Sequence, residues 1–239
     1  MLETLSQNIL YEYSFAVIYL LVFLYFLLLY FGIAPLFKKL CTYLEKKKVL
    51  EKINHTVVKK KQKQFEVKHS FVSIIVFGFS AFPIIYLARM DYLHFLDNSF
   101  LNIIIGLVIL NLWNELHFFI IHKIMHQPFF MKHVHAIHHR SVIPTVYSVY
   151  SFHWLEAALL STVPLTAVLI IPLAPIAIFI YPICSILLNF AGHCNYKLIK
   201  PPFSFLTFAT RHSAHHKKGR GEIGFALDIF DRIFSTKNK

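Results

Sequence analysis

Histidines are grouped in the second half of this sequence in a way that suits metal binding. The pattern H-x2-H-H occurs at residues 135–139 and again at 212–216, and His122 and His126 stand four residues apart. Side chains at i, i+3 and i+4 share one face of a helix, so each group can direct its imidazoles toward one point. Neutral imidazole is a good ligand for iron, zinc, copper and nickel. Eight such side chains are too many for one ion and suit two.

The remaining histidines are divided by their positions. Three single histidines stand near the groups and are candidates for further ligands: His117, His153 and His193. Histidines far from the groups are interpreted as ordinary polar side chains: His55, His69 and His94. His133 fits no metal-binding pattern. A histidine-rich surface tract could also bind metal adventitiously, but these groups stand at the ends of apolar segments, which favours a built site.

Long apolar segments separate and flank the histidine groups. The chain has 239 residues, of which 56% are hydrophobic and only 15% are charged, a balance typical of membrane proteins. Ser14–Phe37 and Ser70–Ala88 contain no charge, and Ser99–Ile121 contains only Glu115. Each is long enough to cross a bilayer as a helix. The third predicted span ends directly before His122.

A fourth apolar segment predicts a hairpin rather than one straight helix. Ala157–Leu188 has 32 residues without a charge and includes four prolines. One helix of this length would measure about 48 Å, whereas a reversal near Pro172–Pro175 gives two arms of about 24 Å. The hairpin returns the chain to the side it left, so both H-x2-H-H groups can meet. The predicted fold is an all-α integral membrane protein with three spans plus this Pro-rich hairpin, four to five membrane helices in all, and a histidine-rich cap.

The segment 38–69 is strongly basic, with 11 lysines. Such a segment is expected in the cytoplasm, bound to anionic lipid headgroups, either as an amphipathic surface helix or as a solvated, partly disordered loop. The net charge of +12 does not indicate nucleic-acid binding, because no soluble basic face is apparent. We predict two parts: 1–69, a span and this basic loop, and 70–239, a membrane domain that carries the histidine groups. The three cysteines predict neither a disulfide framework nor a thiolate metal site.

Between about residues 115 and 236 the sequence resembles the fatty acid hydroxylase / sterol desaturase superfamily of membrane di-iron oxygenases. The resemblance is carried in order by six segments: HKIMHQP (122–128), HAIHHRS (135–141), FHWLE (152–156), GHCNY (192–196), RHSAHH (211–216) and GFALDIFDRIFST (224–236). Lys123, Trp154, Phe230 and Ser235 stand where the family more often has Arg, Pro, Trp and Gly.

The resemblance implies a set of site residues. The implied metal ligands are His122, His126, His135, His138, His139, His193, His212, His215 and His216, with His153 and His117 as weaker candidates. Glu156 and Asp231 are the acids expected to support the ligands by accepting their distal N–H groups. The implied cofactors are two iron ions, with zinc as the ion that isolated protein could carry instead, and O2 as co-substrate.

The implied reaction is hydroxylation or desaturation of a C–H bond of a membrane lipid, such as a sterol or fatty acyl chain. Electrons would come from a separate carrier of the cytochrome b5, ferredoxin or reductase kind, since residues 1–70 hold no haem-binding signature. The active site is expected on the cytoplasmic side of a bacterial inner membrane or the endoplasmic reticulum. The alternative is a membrane metal-binding or transport protein without oxygenase activity. A zinc protease is disfavoured, because no H-E-x-x-H occurs.

Overall fold

A computed structural model describes residues 2–201 and 203–236. Within these residues the chain is mostly helical, and four helical segments are long and apolar enough to cross a membrane. They are α2 (Phe15–Lys46), α3 (Lys60–Phe77) continued by α4 (Phe82–Arg89), α5 (Phe100–Met125) and α10 (Pro175–His193). The predicted integral membrane architecture is therefore confirmed, while the side that the cap faces stays a prediction.

The first helix is longer than predicted. Ser14 begins α2 by accepting a hydrogen bond from the backbone N–H of Val17, as an N-cap serine does. The helix then continues past Phe37 to Lys46, about 48 Å in all at 1.5 Å per residue. Lysine and leucine are good helix formers, so the basic residues after the apolar block extend the helix instead of ending it.

The basic segment takes neither of the two predicted forms. Its beginning extends α2, its end starts α3 at Lys60, and between them lies the strand β1 (Leu50–Lys52). This strand pairs antiparallel with β2 (Tyr196–Leu198), with Leu50 opposite Leu198. The pairing holds the basic segment against the chain that follows α10, so it is neither a separate surface helix nor a disordered loop.

The predicted hairpin is present, with unequal arms. The outgoing arm consists of two short helices, α8 (Trp154–Leu160) and α9 (Val163–Val168). The chain reverses after Val168, and Pro175 then occupies the first turn of α10, where its missing N–H costs nothing. The return arm α10 alone is a candidate span. It packs beside α5, where a Cβ on Gly106 would lie 2.7 Å from the Cβ of Ala177, so glycine permits this close approach.

Short elements lie at both ends of the membrane helices. Those that carry or support the histidines are α6 (Pro128–Phe130), a π-helix (Met131–His135), α7 (Ala136–His139), 3-10 turns (Val146–Ser148 and Ser204–Thr207), α11 (Phe208–Lys218) and α12 (Ile229–Ile233). At the opposite end, α1 (Leu2–Gln7) and a π-helix (Asn8–Glu12) pack near the beginning of α10 and the end of α4.

Candidate metal centre

Nine imidazoles from separate parts of the chain meet at the C-terminal ends of α5 and α10. They form two groups, and within each group one ring nitrogen of every histidine lies within 4.8 Å of the others. Group one contains His122, His126, His135, His139 and His215, and group two contains His138, His193, His212 and His216. These are the nine residues for which metal binding was predicted. Helical spacing explains the arrangement, since α11 supplies one ligand to group one and two to group two.

The ring nitrogens inside each group are spaced as ligands of one ion would be. In group one, Nε2 of His126 lies 3.2 Å from Nε2 of His122 and 3.1 Å from Nε2 of His215. In group two, Nε2 of His212 lies 3.0 Å from Nε2 of His193 and 3.1 Å from Nε2 of His216. Two nitrogens each about 2.1 Å from a shared metal stand about 3.0–3.4 Å apart, so these separations fit.

Four of the histidines have a fixed tautomer. A carbonyl oxygen can only accept, so Nδ1–H of His122 donates to the carbonyl of Ile223 at 2.7 Å and Nδ1–H of His215 donates to that of Gly221 at 2.5 Å. His193 donates in the same way to the carbonyl of Asn189 at 3.0 Å. His135 donates to the Glu156 carboxylate at 2.8 Å. Each of these bonds leaves Nε2 with a free lone pair that faces its group.

Burial disfavours protonation of His126 and His215, and an imidazole must be unprotonated to bind a metal. Eight of the nine side chains are buried and His126 is half-buried. Burial, with smaller effects from neighbouring His215 and His135, lowers the pKa of His126 to about 3. Burial also lowers the pKa of His215 to about 4, although its bond to Gly221 opposes this shift. Both side chains are therefore unprotonated at neutral pH.

The residues present fit a pair of metal ions. The buried Nε2 atoms of His135 and His139 have no hydrogen-bond partner among the described residues, although an unpaired buried polar atom is costly. A bound ion would satisfy both atoms. The donor set, with nitrogen from imidazole alone, suits iron, zinc, copper or nickel and does not distinguish among them.

Glu115 and Asp231 support the site through the backbone rather than through the histidines. Glu115 accepts hydrogen bonds from the N–H groups of Ala226 and Leu227, both at 3.1 Å. Asp231 accepts from the N–H groups of Ile223 at 2.7 Å and Gly224 at 2.9 Å. Asp231 was expected to accept from an imidazole, and instead it holds the residue whose carbonyl orients His122.

Two weaker candidates lie outside the groups. Nε2 of His117 pairs with the hydroxyl of Thr162 at 3.0 Å. His153 caps α8, with Nδ1 accepting from the N–H of Leu155 at 3.2 Å. Each imidazole has another role in the structure, and neither is brought to the metal groups.

Two supporting residues in the basic segment were not predicted. Glu66 is fully buried and accepts hydrogen bonds from Ser141 at 2.9 Å and Thr145 at 2.5 Å, directly after the H-x2-H-H pattern at 135–139. Asn54 pairs with Asn195, beside His193, and donates to Ser213 within α11 at 3.1 Å. The signal for Glu66 was its spacing: with Ser70 and Ser73 it forms a polar stripe at i, i+4 and i+7.

An apolar cavity of about 420 Å³ lies among the membrane helices, beside the histidine groups. Phe152 lines it and packs on His138 with ring centroids 4.9 Å apart, while Phe118 lines it and packs on His122 at the same distance. One aromatic ring therefore separates the cavity from a histidine of each group.

Comparison with known proteins agrees with this geometry. A family model described as fatty acid hydroxylase matches residues 107–236, more than half of the chain, and this range includes all nine histidines. Sphinganine C4-monooxygenase 2 of Arabidopsis thaliana is 30% identical over 141 residues, 56% of this chain and 52% of that protein. Very-long-chain aldehyde decarbonylase GL1-5 of Oryza sativa subsp. indica is 29% identical over 137 residues.

A second decarbonylase, CER1 of Arabidopsis thaliana, is 28% identical over 137 residues. For both decarbonylases the match covers 52% of this chain but only 22% of the relative, so the chain spans about a fifth of their length. No solved structure matches the chain.

Proposed function

The chain belongs to the fatty acid hydroxylase family, and from this premise we propose that it is an O2-dependent, di-iron membrane oxidoreductase that hydroxylates or desaturates a C–H bond of a lipid. One observation carries the proposal: Phe152 and Phe118 line the apolar cavity, and each packs on one histidine of a different group. A hydrocarbon chain in the cavity would bring a carbon to these two rings, beside both groups. The lipid-modifying relatives support the same reading.

Each histidine group would hold one iron ion. Bound iron would supply the activation of O2 and the oxidation of the C–H bond, which imidazole cannot perform. The protein orients the imidazole rings. Glu156, Ile223 and Gly221 accept hydrogen bonds that fix three rings of group one, those of His135, His122 and His215. Asn189 is one of the residues that line the cavity, and its backbone carbonyl fixes the ring of His193 in group two. The aromatic rings beside the histidines exclude water from the reacting carbon.

A separate electron carrier would dock on the cap. Cations stand exposed around the histidine groups: Lys123, Lys132, Arg140, Lys217, Lys218 and Arg220. They would attract an acidic carrier such as a cytochrome b5-like protein or a ferredoxin. We place the cap in the cytoplasm, since the lysines of segment 38–69 favour that side and would bind anionic lipid headgroups.

The test compares lipids and bound metal in cells expressing the wild type, His138→Ala and His133→Ala. His138 belongs to group two, whereas exposed His133 lies nearby outside both groups and is the matched control. We expect purified wild type to carry iron, and cells to accumulate an oxidised lipid that requires O2. His138→Ala should lose the product, and His133→Ala should retain it.

Two results would overturn the proposal. Wild type that binds iron but makes no O2-dependent product would favour the metal-binding or transport alternative. A product that persists in His138→Ala would show that the histidine groups do not carry the reaction.

A further inference from the structure

The cavity is long and follows one helix. Residues of α10 line it from Ile176 to Asn189, a distance of about 20 Å along the helix axis at 1.5 Å per residue. Asn189 lies one turn before His193, so that end adjoins the metal groups. The other end lies near the first turn of α10, on the opposite side of the membrane region.

The lining of the cavity is apolar. Most of the side chains that line it are aliphatic or aromatic, and none of them carries a charge. Burial of methylene groups against such a lining is favourable. The length and the lining together suit a linear alkyl chain.

The far end of the cavity is bounded by the N-terminal segment, residues 2–14, which lies outside the part of the chain that matches the family. Three of its side chains line the cavity there: Ser6, Ile9 and Leu10. Leu10 is buried and packs in a cluster with Ile18 and Ile85.

Polar contacts fix this segment in place. Asn98 donates to the Ser6 hydroxyl at 3.1 Å and to the Glu3 carboxylate at 2.6 Å, and it accepts from the N–H of Ile176 at 2.9 Å. Arg89 donates to the carbonyl of Leu10 at 2.7 Å, and to that of Tyr13 at 2.6 Å. A longer chain would have to displace these hydrogen bonds or place methylene groups against polar atoms.

We propose that the cavity binds one linear alkyl chain and that the N-terminal segment sets its maximum length. Each carbon of an extended chain advances about 1.3 Å, so about 15 carbons fit between the oxidised position and Leu10. Each further methylene that fits strengthens binding about fourfold, and this gain stops where the chain meets the N-terminal segment. This inference rests on the proposed function for its orientation, with the oxidised carbon at the histidines.

Binding is measured without turnover, on the metal-free full chain in nanodiscs. A mixture of saturated fatty acids of increasing length competes for the protein, and native mass spectrometry reports which lengths are bound. Leu10→Ala should move the preferred length up by about three carbons, the number that the side chain loses. Ile176→Phe, which adds bulk at the same end, should move it down. Tyr11→Ala is the control, since Tyr11 is exposed and does not line the cavity.

The outcomes separate this inference from the proposed function. Unchanged length preference in both Leu10→Ala and Ile176→Phe would overturn the length limit, as would cholesterol displacing the fatty acids as effectively as the preferred fatty acid does. If Leu10→Ala does not fold, Ile9→Ala tests the same wall. If the protein binds fatty acids selectively by length but cells make no oxidised lipid, the length limit set by the N-terminal segment is supported and the proposed oxygenase function is contradicted.

Discussion

Glu156 holds His135 by a hydrogen bond of 2.8 Å between its carboxylate oxygen Oε1 and the imidazole Nδ1, and both side chains are buried. The bond joins the first turn of α8 to the last residue of the π-helix Met131–His135. The carboxylate fixes the tautomer and makes the imidazole a stronger ligand. The first half of the hairpin is thereby coupled to group one.

Replacing Glu156 should weaken metal binding. Glu156→Gln retains an acceptor oxygen but loses the charge, and Glu156→Ala loses both, so we expect metal affinity to fall by about 10–100-fold, more in the alanine variant. Metal content is measured after dialysis against a graded chelator. Exposed Glu51→Gln is the control. Equal metal retention in Glu156→Ala and wild type would contradict the role.

Glu115 and Asp231 hold different amides, so their variants should loosen different positions. Loss of a buried charged acceptor costs about 1.5–3 kcal/mol per hydrogen bond. Hydrogen exchange should speed up at Ala226 and Leu227 in Glu115→Gln, and at Ile223 and Gly224 in Asp231→Asn. Each variant is the other's control. Identical exchange patterns in the two variants would contradict the prediction, because residues 223–227 would then open as one unit.

Glu66 should be coupled energetically to Ser141. The free energy of unfolding is compared for wild type, Glu66→Gln, Ser141→Ala and the double variant. Because the two side chains share a buried hydrogen bond, we expect a coupling energy of about 0.5–3 kcal/mol. The same cycle with exposed Glu51 in place of Glu66 should give additive effects. If the effects of Glu66→Gln and Ser141→Ala on the free energy of unfolding are additive, Glu66 does not position Ser141.

Acid should destabilise the metal-free protein. The pKa of His126 in the folded state is about 3 and that of His215 about 4, below the value of about 6.5 expected in the unfolded chain. Between the folded and the unfolded pKa values, the unfolded state binds more protons than the folded state. The free energy of unfolding therefore keeps its full value above about pH 6.5 and decreases as the pH drops toward 4 and then 3. Thermal unfolding of metal-free protein across this range measures the effect. His126→Gln should flatten the profile, whereas His133→Ala should not.

Salt should slow electron delivery if an acidic carrier docks on the cap. Turnover with a ferredoxin or cytochrome b5-like donor should decrease as ionic strength rises, because screening shortens the range of attraction. Lys217→Glu with Lys218→Glu should reduce the apparent affinity for the donor. A pair on the basic segment, Lys60→Glu with Lys61→Glu, serves as the control. Salt-independent turnover would contradict docking by charge.

The sequence predicted what depends on local spacing. Apolar runs indicated the membrane helices, the prolines indicated the reversal before α10, and the H-x2-H-H spacing selected imidazoles that the structure does bring together. These features need only helical periodicity and segment length. Metal occupancy itself stays a prediction.

Other features depended on contacts that no local pattern encodes. The pairing of β1 with β2 joins residues nearly 150 positions apart, and three-residue strands carry almost no periodicity. The spacing of Glu66 with Ser70 and Ser73 indicates a shared helix face, but it does not identify the partners of Glu66, which lie beyond residue 140. Backbone carbonyls such as that of Ile223 have no residue type by which a sequence could reveal them.

The carbonyls of Gly221 and Ile223 also impose an order on how the protein matures. A ribosome delivers residues 1–216, with all nine histidines, before it delivers these two acceptors. His122 and His215 therefore cannot reach their final ring orientation while the helices are being inserted. Any metal loading is expected to follow translation, and a product that stops short of residue 221 would carry all nine histidines without the two carbonyls that orient His122 and His215.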